Sequence, residues 1–134
     1  MRAVETSRFV RATPKELERL LTPERLVEYE GSFTAETVEE TDDGWVVTAT
    51  GPGLRFRLRF ERRADGMYYT QDGDAGPFES METWITVARE NEGWRVAMRS
   101  RVSLSVPLPL VDRLATWKRR GELRRALDAL ERTL

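Results

Sequence analysis

The chain contains no histidine and no cysteine. Imidazole proton shuttles, thiol nucleophiles, disulfides, iron–sulfur clusters and the usual zinc ligand sets are therefore outside its chemistry. Hydroxyls, carboxylates, amides and guanidinium groups remain, and four of them stand out by position. Tyr69, Gln71, Thr83 and Ser100 fall on the apolar side of segments that alternate with a period of two. A polar group buried there without a partner costs about 1–3 kcal/mol. Backbone carbonyls, a bound water or the polar end of a ligand would each meet that need. Tyr69 is the best single handle for a ligand, because it combines a flat apolar ring with a hydroxyl that donates and accepts. Trp45, Phe56, Phe60, Met81, Met98, Leu114 and Trp117 are the candidate apolar lining, a kind of stripe that more often fills a core than lines a binding site. Glu36 and Glu40 share the inner parity near a strand end, where a carboxylate could act as a general base. No catalytic residue is identified. Asp72-Gly73-Asp74 opens like a calcium loop but lacks the later oxygen ligands and the terminal glutamate, so it is expected to be a turn. No metal and no cofactor is expected.

These side chains need a scaffold, and 134 residues suffice for one domain spanning 1–134. Arg2 to Val10 reads as a strand. Thr13-Pro14-Lys15-Glu16 is a capping box with proline at the first helical position, and it starts a helix through Leu17, Leu20 and Leu21. Thr22-Pro23 opens a second short helix with Leu26, Val27 and Tyr29, ending at Gly31. From Phe33 to Leu104 turn signals at Asp43-Gly44, Pro52-Gly53, Asp65-Gly66, Asp72 to Pro77 and Glu92-Gly93 separate six strands. From about Pro109, apolar residues at Leu110, Leu114, Trp117, Leu123, Leu127, Leu130 and Leu134 predict an amphipathic helix of about seven turns. Trp117 and Gly121 are expected on its sheet-facing side. Gly121 is read either as room for a close approach or a ligand, or as a cap between two helices.

Register follows from the turns, because residues opposite each other in a ladder share a face. A two-residue turn at Pro52-Gly53 sets Ala49, Val47 and Trp45 opposite Phe56, Leu58 and Phe60, and Thr50, Thr48 and Val46 opposite Arg55, Arg57 and Arg59. Turning at Asp43-Gly44 would place Val38 with Ala49 and Glu39 beside Thr48. At Asp65-Gly66 the rule sends Met67, Tyr69 and Gln71 to the face of Phe60, leaving Tyr68 and Thr70 outside. In the last hairpin Met81, Thr83, Ile85 and Val87 join Val96, Met98, Ser100, Val102 and Leu104 inside, with Arg95, Arg99 and Arg101 outside; a bulge at Glu92-Gly93 would instead bring Trp84 inward. The inner face is too apolar to be left to water, and only the last helix is long enough to cover it.

Basic residues number 22 against 23 acids, so the net charge of -1 offers no long-range attraction for nucleic acid. The outer arginines Arg55, Arg57, Arg59, Arg95, Arg99 and Arg101, with Tyr68 and, if no bulge turns it inward, Trp84, are the one arrangement suggesting it, and Glu39, Glu61, Glu79 and Glu82 share their surface. Lys118, Arg119, Arg120, Arg124 and Arg125 are read as a solvated helix face. The longest apolar stretch, Val102 to Val111, is far shorter than the roughly 20 residues that span a bilayer. The start of the chain lacks a signal-peptide pattern, and a cytoplasmic address is expected.

The order of elements, the opening into Ala12-Thr13-Pro14-Lys15-Glu16, the glycine-punctuated hairpins, Gly76-Pro77-Phe78 before Thr83-Trp84-Ile85, and the ending Leu123 to Leu130 resemble the START-like (SRPBCC) superfamily, in its polyketide cyclase/dehydrase branch. The resemblance implies an α+β helix-grip fold: a seven-stranded curved antiparallel sheet wrapped around a long C-terminal helix, with two short helices after the first strand. It also implies a cavity between sheet and helix that takes a lipid, polyketide or aromatic compound. Carriage of such a hydrophobic ligand is the first expectation. An aromatase/cyclase-like enzyme and a protein or RNA interaction module on the outer sheet are the alternatives, and homodimerisation stays open.

Overall fold

The computed structural model describes residues 2–104 and 109–134, without the side chains of Arg2, Pro109, Leu110 and Asp112. Leu110, expected in the helical stripe, thus lies outside the described side chains. The elements run β1 (Arg2–Val10), α1 (Pro14–Leu20), α2 (Pro23–Glu30), β2 (Thr34–Glu40), β3 (Gly44–Gly51), β4 (Leu54–Arg63), β5 (Gly66–Asp72), β6 (Ser80–Glu90), β7 (Gly93–Ser103) and α3 (Pro109–Thr133). One seven-stranded sheet of order β1-β7-β6-β5-β4-β3-β2 holds every strand antiparallel to its neighbours. α3 packs across β1 and β7 and against α2, which is the expected grip. The core lies between them, with Val47, Phe60, Ile85, Val96 and Met98 from the sheet meeting Leu26, Leu123, Leu127 and Leu130 from the helices.

Local chemistry sets the helix ends. Thr13 accepts from the Glu16 amide at 3.1 Å, and Glu16 accepts from the Thr13 amide at 3.0 Å, completing the capping box. Thr22 caps α2 by accepting from the Arg25 amide at 3.3 Å, and Gly31 closes it in the left-handed conformation. Trp94 Nε1 donates to the Ala12 carbonyl at 3.0 Å, pinning the entry to α1 against β7.

The β3–β4 pairing matches the expected register residue for residue, and β6 and β7 keep the expected facing. No bulge disturbs the last hairpin, which turns through Asn91-Glu92, so Trp84 lies on the outer face beside Tyr68, with ring centroids 5.4 Å apart. Three turns sit one residue earlier than expected, the last hairpin's among them. β2 returns at Asp42-Asp43, so Val38 faces Val47 and not Ala49, and Glu39 faces Val46 and not Thr48. β4 returns at Ala64-Asp65, with Arg63 opposite Gly66, and the expected facing of Met67 and Tyr69 is kept because the shift is two in register. The cause is the same in all three. Gly44, Gly66 and Gly93 are not turn residues but the first residues of strands, where a Cβ would stand 1.8 Å from the Phe60 and Ile85 carbonyl oxygens and 2.3 Å from that of Val10, respectively. A bulge between Ala35 and Thr37 further carries Glu36 out to Arg55, 3.0 Å away, and off the inner parity.

The final helix also departs from expectation. It is continuous through Gly121, so the two-helix reading does not hold, and a Cβ there would meet only Arg125 Nη1 at 3.6 Å. Trp117 and Leu114 do not face the sheet; they are 72% and 58% exposed. Relative to buried Leu123, Trp117 stands about 120° around the helix and Leu114 about half a turn. The inner face of the same helix carries Thr116, Arg119 and Glu122, all buried.

Gly44 and Gly121 therefore answer the same substitution with opposite signs. Gly44→Ala is expected to lose at least about 2 kcal/mol in urea unfolding, because the sheet cannot open around one methyl. Gly121→Ala is expected to gain up to about 1 kcal/mol from helix propensity alone.

Candidate functional site

Arg119 enters the interior from the middle of α3 and is only 3% exposed. A guanidinium has five N–H donors, and each finds an acceptor. Nε donates to Ser100 Oγ at 3.0 Å, and Nη2 to the Tyr69 hydroxyl at 2.6 Å and Thr83 Oγ1 at 2.8 Å. Nη1 donates to Glu30, at the end of α2, and to Glu122 Oε1 at 3.3 Å. The acceptors are satisfied in turn. Tyr69 donates to Glu30, Ser100 donates to the Glu82 carbonyl at 3.0 Å, and Thr83 and Ser100 are 2.8 Å apart. Ser32 donates to the other oxygen of Glu122, which Lys118 Nζ approaches at 3.5 Å.

Three of the four inward polar residues expected to need a partner thus find it in one arginine from the opposite layer. The fourth, Gln71, serves the β5–β6 connection: its amide donates to the Phe78 carbonyl at 2.6 Å and accepts from the Phe78 amide at 3.1 Å. One cation faces two carboxylates, and this sets the electrostatics. Burial pushes the Glu30 carboxyl above its ordinary range; Arg119 and the Tyr69 hydroxyl draw it down, and Glu122 adds to the rise. Burial, reinforced by Glu30, likewise raises the Tyr69 phenol, against the pull of Arg119. For Arg119 burial acts downward, yet Glu30, Tyr69 and Glu122 together hold it above its ordinary value.

Two spaces adjoin this network. The inner one, bounded by Val27, Phe33, Phe56, Leu58, Tyr69, Phe78, Met81 and the Arg119 cluster, holds about 20 Å³. The outer one is a groove of about 370 Å³ between the start of α3 and the β5–β6 connection, walled by Phe33, Pro77, Phe78, Leu104, Val111, Leu114 and Ala115, with Lys118 and Glu122 at its polar end. Tyr69, Phe56 and Met81 therefore border the inner space, and Leu114 the groove. Phe60, stacked on Tyr69 at 4.4 Å, and Met98 are core. Trp45 is partly buried beneath Arg62, whose guanidinium carbon lies 4.0 Å from the ring centroid, and Trp117 borders neither space.

Glu30, Arg119, Glu122, Phe33 and Phe78 were not among the expected site residues. A signal for Arg119 existed. Stepping back from Leu130 and Leu127 through Leu123 by threes and fours lands on it, and three inward hydroxyls on facing strands call for a multivalent donor.

Removing the arginine strands two buried carboxylates, so Arg119→Met is expected to cost about 3–5 kcal/mol in urea unfolding. Adding Glu30→Gln is expected to cost less than the sum of the two single changes. A carboxyl raised on folding contributes stability that is complete at low pH and is lost as pH rises through its folded value. The stability of the wild type relative to Glu30→Gln is therefore expected to fall as pH climbs above the ordinary 4.5. A constant difference from about pH 5 to pH 8 would mean that Glu30 is ionised throughout.

No protein-family model matches the sequence, and no curated protein does. Solved structures do match in shape. XoxI from Bacillus cereus superposes with a TM-score of 0.75 at 17% identity, over 99% of this chain and 95% of that one. A START superfamily protein from Mycobacterium smegmatis gives 0.69 at 15% identity, over 98% and 97%. Ara h 8.0201 gives 0.59 at 16%, over 96% and 97%. The likeness extends over nearly the whole of each chain, and with the seven-stranded sheet and gripped helix it shows that this protein has the START-like (SRPBCC) helix-grip fold.

Proposed function

We propose that the protein binds and carries a hydrophobic or amphipathic small molecule, of lipid, polyketide or aromatic type, in the groove at the mouth of the grip, within the cytoplasm. The observation that carries this reading is the apolar groove of about 370 Å³, a size within the range of roughly 300–1,000 Å³ typical of ligand pockets. The inner space, about 20 Å³, is large enough for one water. A ligand lying along Phe33, Phe78 and Leu114 would direct a polar end toward Lys118 and Glu122, and a single small polar atom could reach past them toward Tyr69. Among the described residues no helix is long and apolar enough to cross a membrane.

Carriage is favoured over catalysis by the state of the polar groups. Tyr69, Glu30 and Arg119 are already bonded to one another, and the Tyr69 phenol is a weaker acid than usual. None is left free to abstract or deliver a proton without first giving up a partner.

A neutral fluorescent probe such as N-phenyl-1-naphthylamine separates the two spaces. Ala115→Trp, which fills the groove, is expected to weaken its binding at least about tenfold, or ~1.4 kcal/mol. Met81→Phe, which fills the inner space, is expected to change it less than about twofold. The reverse pattern would move the site inward, and no saturable binding by the wild type would end the reading.

A further inference from the structure

The outer face of α3 bears an arrangement that the core does not use and that the groove meets only along one edge, at Leu114 and Lys118. Trp117, 72% exposed, and Leu114, 58% exposed, lie three residues apart on it. Around them Arg113, Lys118, Arg120 and Arg124 are all exposed. The one acid between Arg113 and Arg125 is Glu122, which is turned inward and buried. A chain with a net charge of -1 thus concentrates cations on one helix face around two apolar side chains. Gly121, one turn on from Trp117, adds no side chain beside the ring.

We propose that this face docks on an anionic lipid bilayer, with Trp117 and Leu114 entering the headgroup region and the surrounding cations set over lipid phosphates and carboxylates. Charge complementarity supplies the attraction, and an indole with a neighbouring aliphatic chain is the pair that gains from the interface between headgroups and hydrocarbon. Nucleic acid fits less well, because Leu114 offers a base no aromatic surface on which to stack. The groove opens beside the same face, sharing Leu114, Ala115 and Lys118 with it. Docking would bring that mouth against the bilayer, yet the surface stands whether or not the groove carries a ligand.

The test uses the full chain and phosphatidylcholine vesicles with or without about one-third phosphatidylserine. Sedimentation with the anionic vesicles only is expected, together with a blue-shifted tryptophan emission that Trp117→Ser abolishes. Trp117→Ser is expected to weaken partitioning at least about tenfold, and Arg120→Glu or Arg124→Glu about fivefold or more each. All three positions are exposed, so circular dichroism should show the fold retained. Trp117→Ser, at a residue that borders neither space, is expected to leave binding of the neutral fluorescent probe unchanged, so failure here is distinct from failure of the ligand reading. Absence of vesicle binding, equal binding to neutral vesicles, or binding indifferent to Trp117→Ser would overturn the proposal. So would a single-stranded RNA that binds more tightly than the vesicles and loses affinity with the same substitutions.

Discussion

A single buried guanidinium organises this molecule. Arg119 spends all five donors on groups from β5, β6, β7, α2 and its own helix, so the two layers of the grip are joined by directional bonds as well as by apolar packing. Apolar surfaces can slide over one another at little cost, but a hydrogen-bonded cation surrounded by matched acceptors cannot. The C-terminal half of α3, with Leu123, Leu127 and Leu130, supplies the area of contact. Arg119 supplies the registration. The need for charge balance extends the network to Glu30 and Glu122, and through Ser32 to the loop after α2.

The same interaction decides where free volume can lie. Among the described residues Arg119 and its partners occupy the middle of the grip, where the space beside them holds about 20 Å³, and the larger groove lies beside the start of α3. Gln71 has its effect there too: by clasping the backbone of Phe78 it holds in place the connection that forms one wall of the groove. α3 consequently presents three environments along and around one cylinder. They are an apolar inner face toward its end, a polar inner face near its middle, and a cationic outer face studded with Trp117 and Leu114.

The sheet shows how short-range signals serve long-range order. Thr13 and Thr22 cap their helices through bonds within one turn, and the turn at Pro52-Gly53 sets β3 against β4 as alternation requires. Gly44 and Gly66 mislead because glycine has two uses that look alike in sequence: it turns the chain, and it admits a neighbouring carbonyl. Here it does the second, and the turns fall one residue earlier. On the outer face Arg55 with Glu36 and Tyr68 with Glu82 pair across strands, and Arg63 with Glu61 pairs within β4, giving the mixed surface that the alternation of charge implied.

The order of elements, the capped helix starts, the facing of most strands and the inward placement of Tyr69, Thr83 and Ser100 were legible in the sequence, because each depends on periodicity or on a bond closed within a few residues. The partner of those three hydroxyls was not. Arg119 sits among four other basic residues, Lys118, Arg120, Arg124 and Arg125, and composition alone marks all five as surface. Trp117 and Leu114, by composition, belonged inside. Their exchange of places with Arg119 and Glu122 was decided by the rotation of α3 about its own axis. That angle is set by which face meets the acceptors carried on α2, β5, β6 and β7, a match between residues 19 to 89 positions apart that no local pattern encodes.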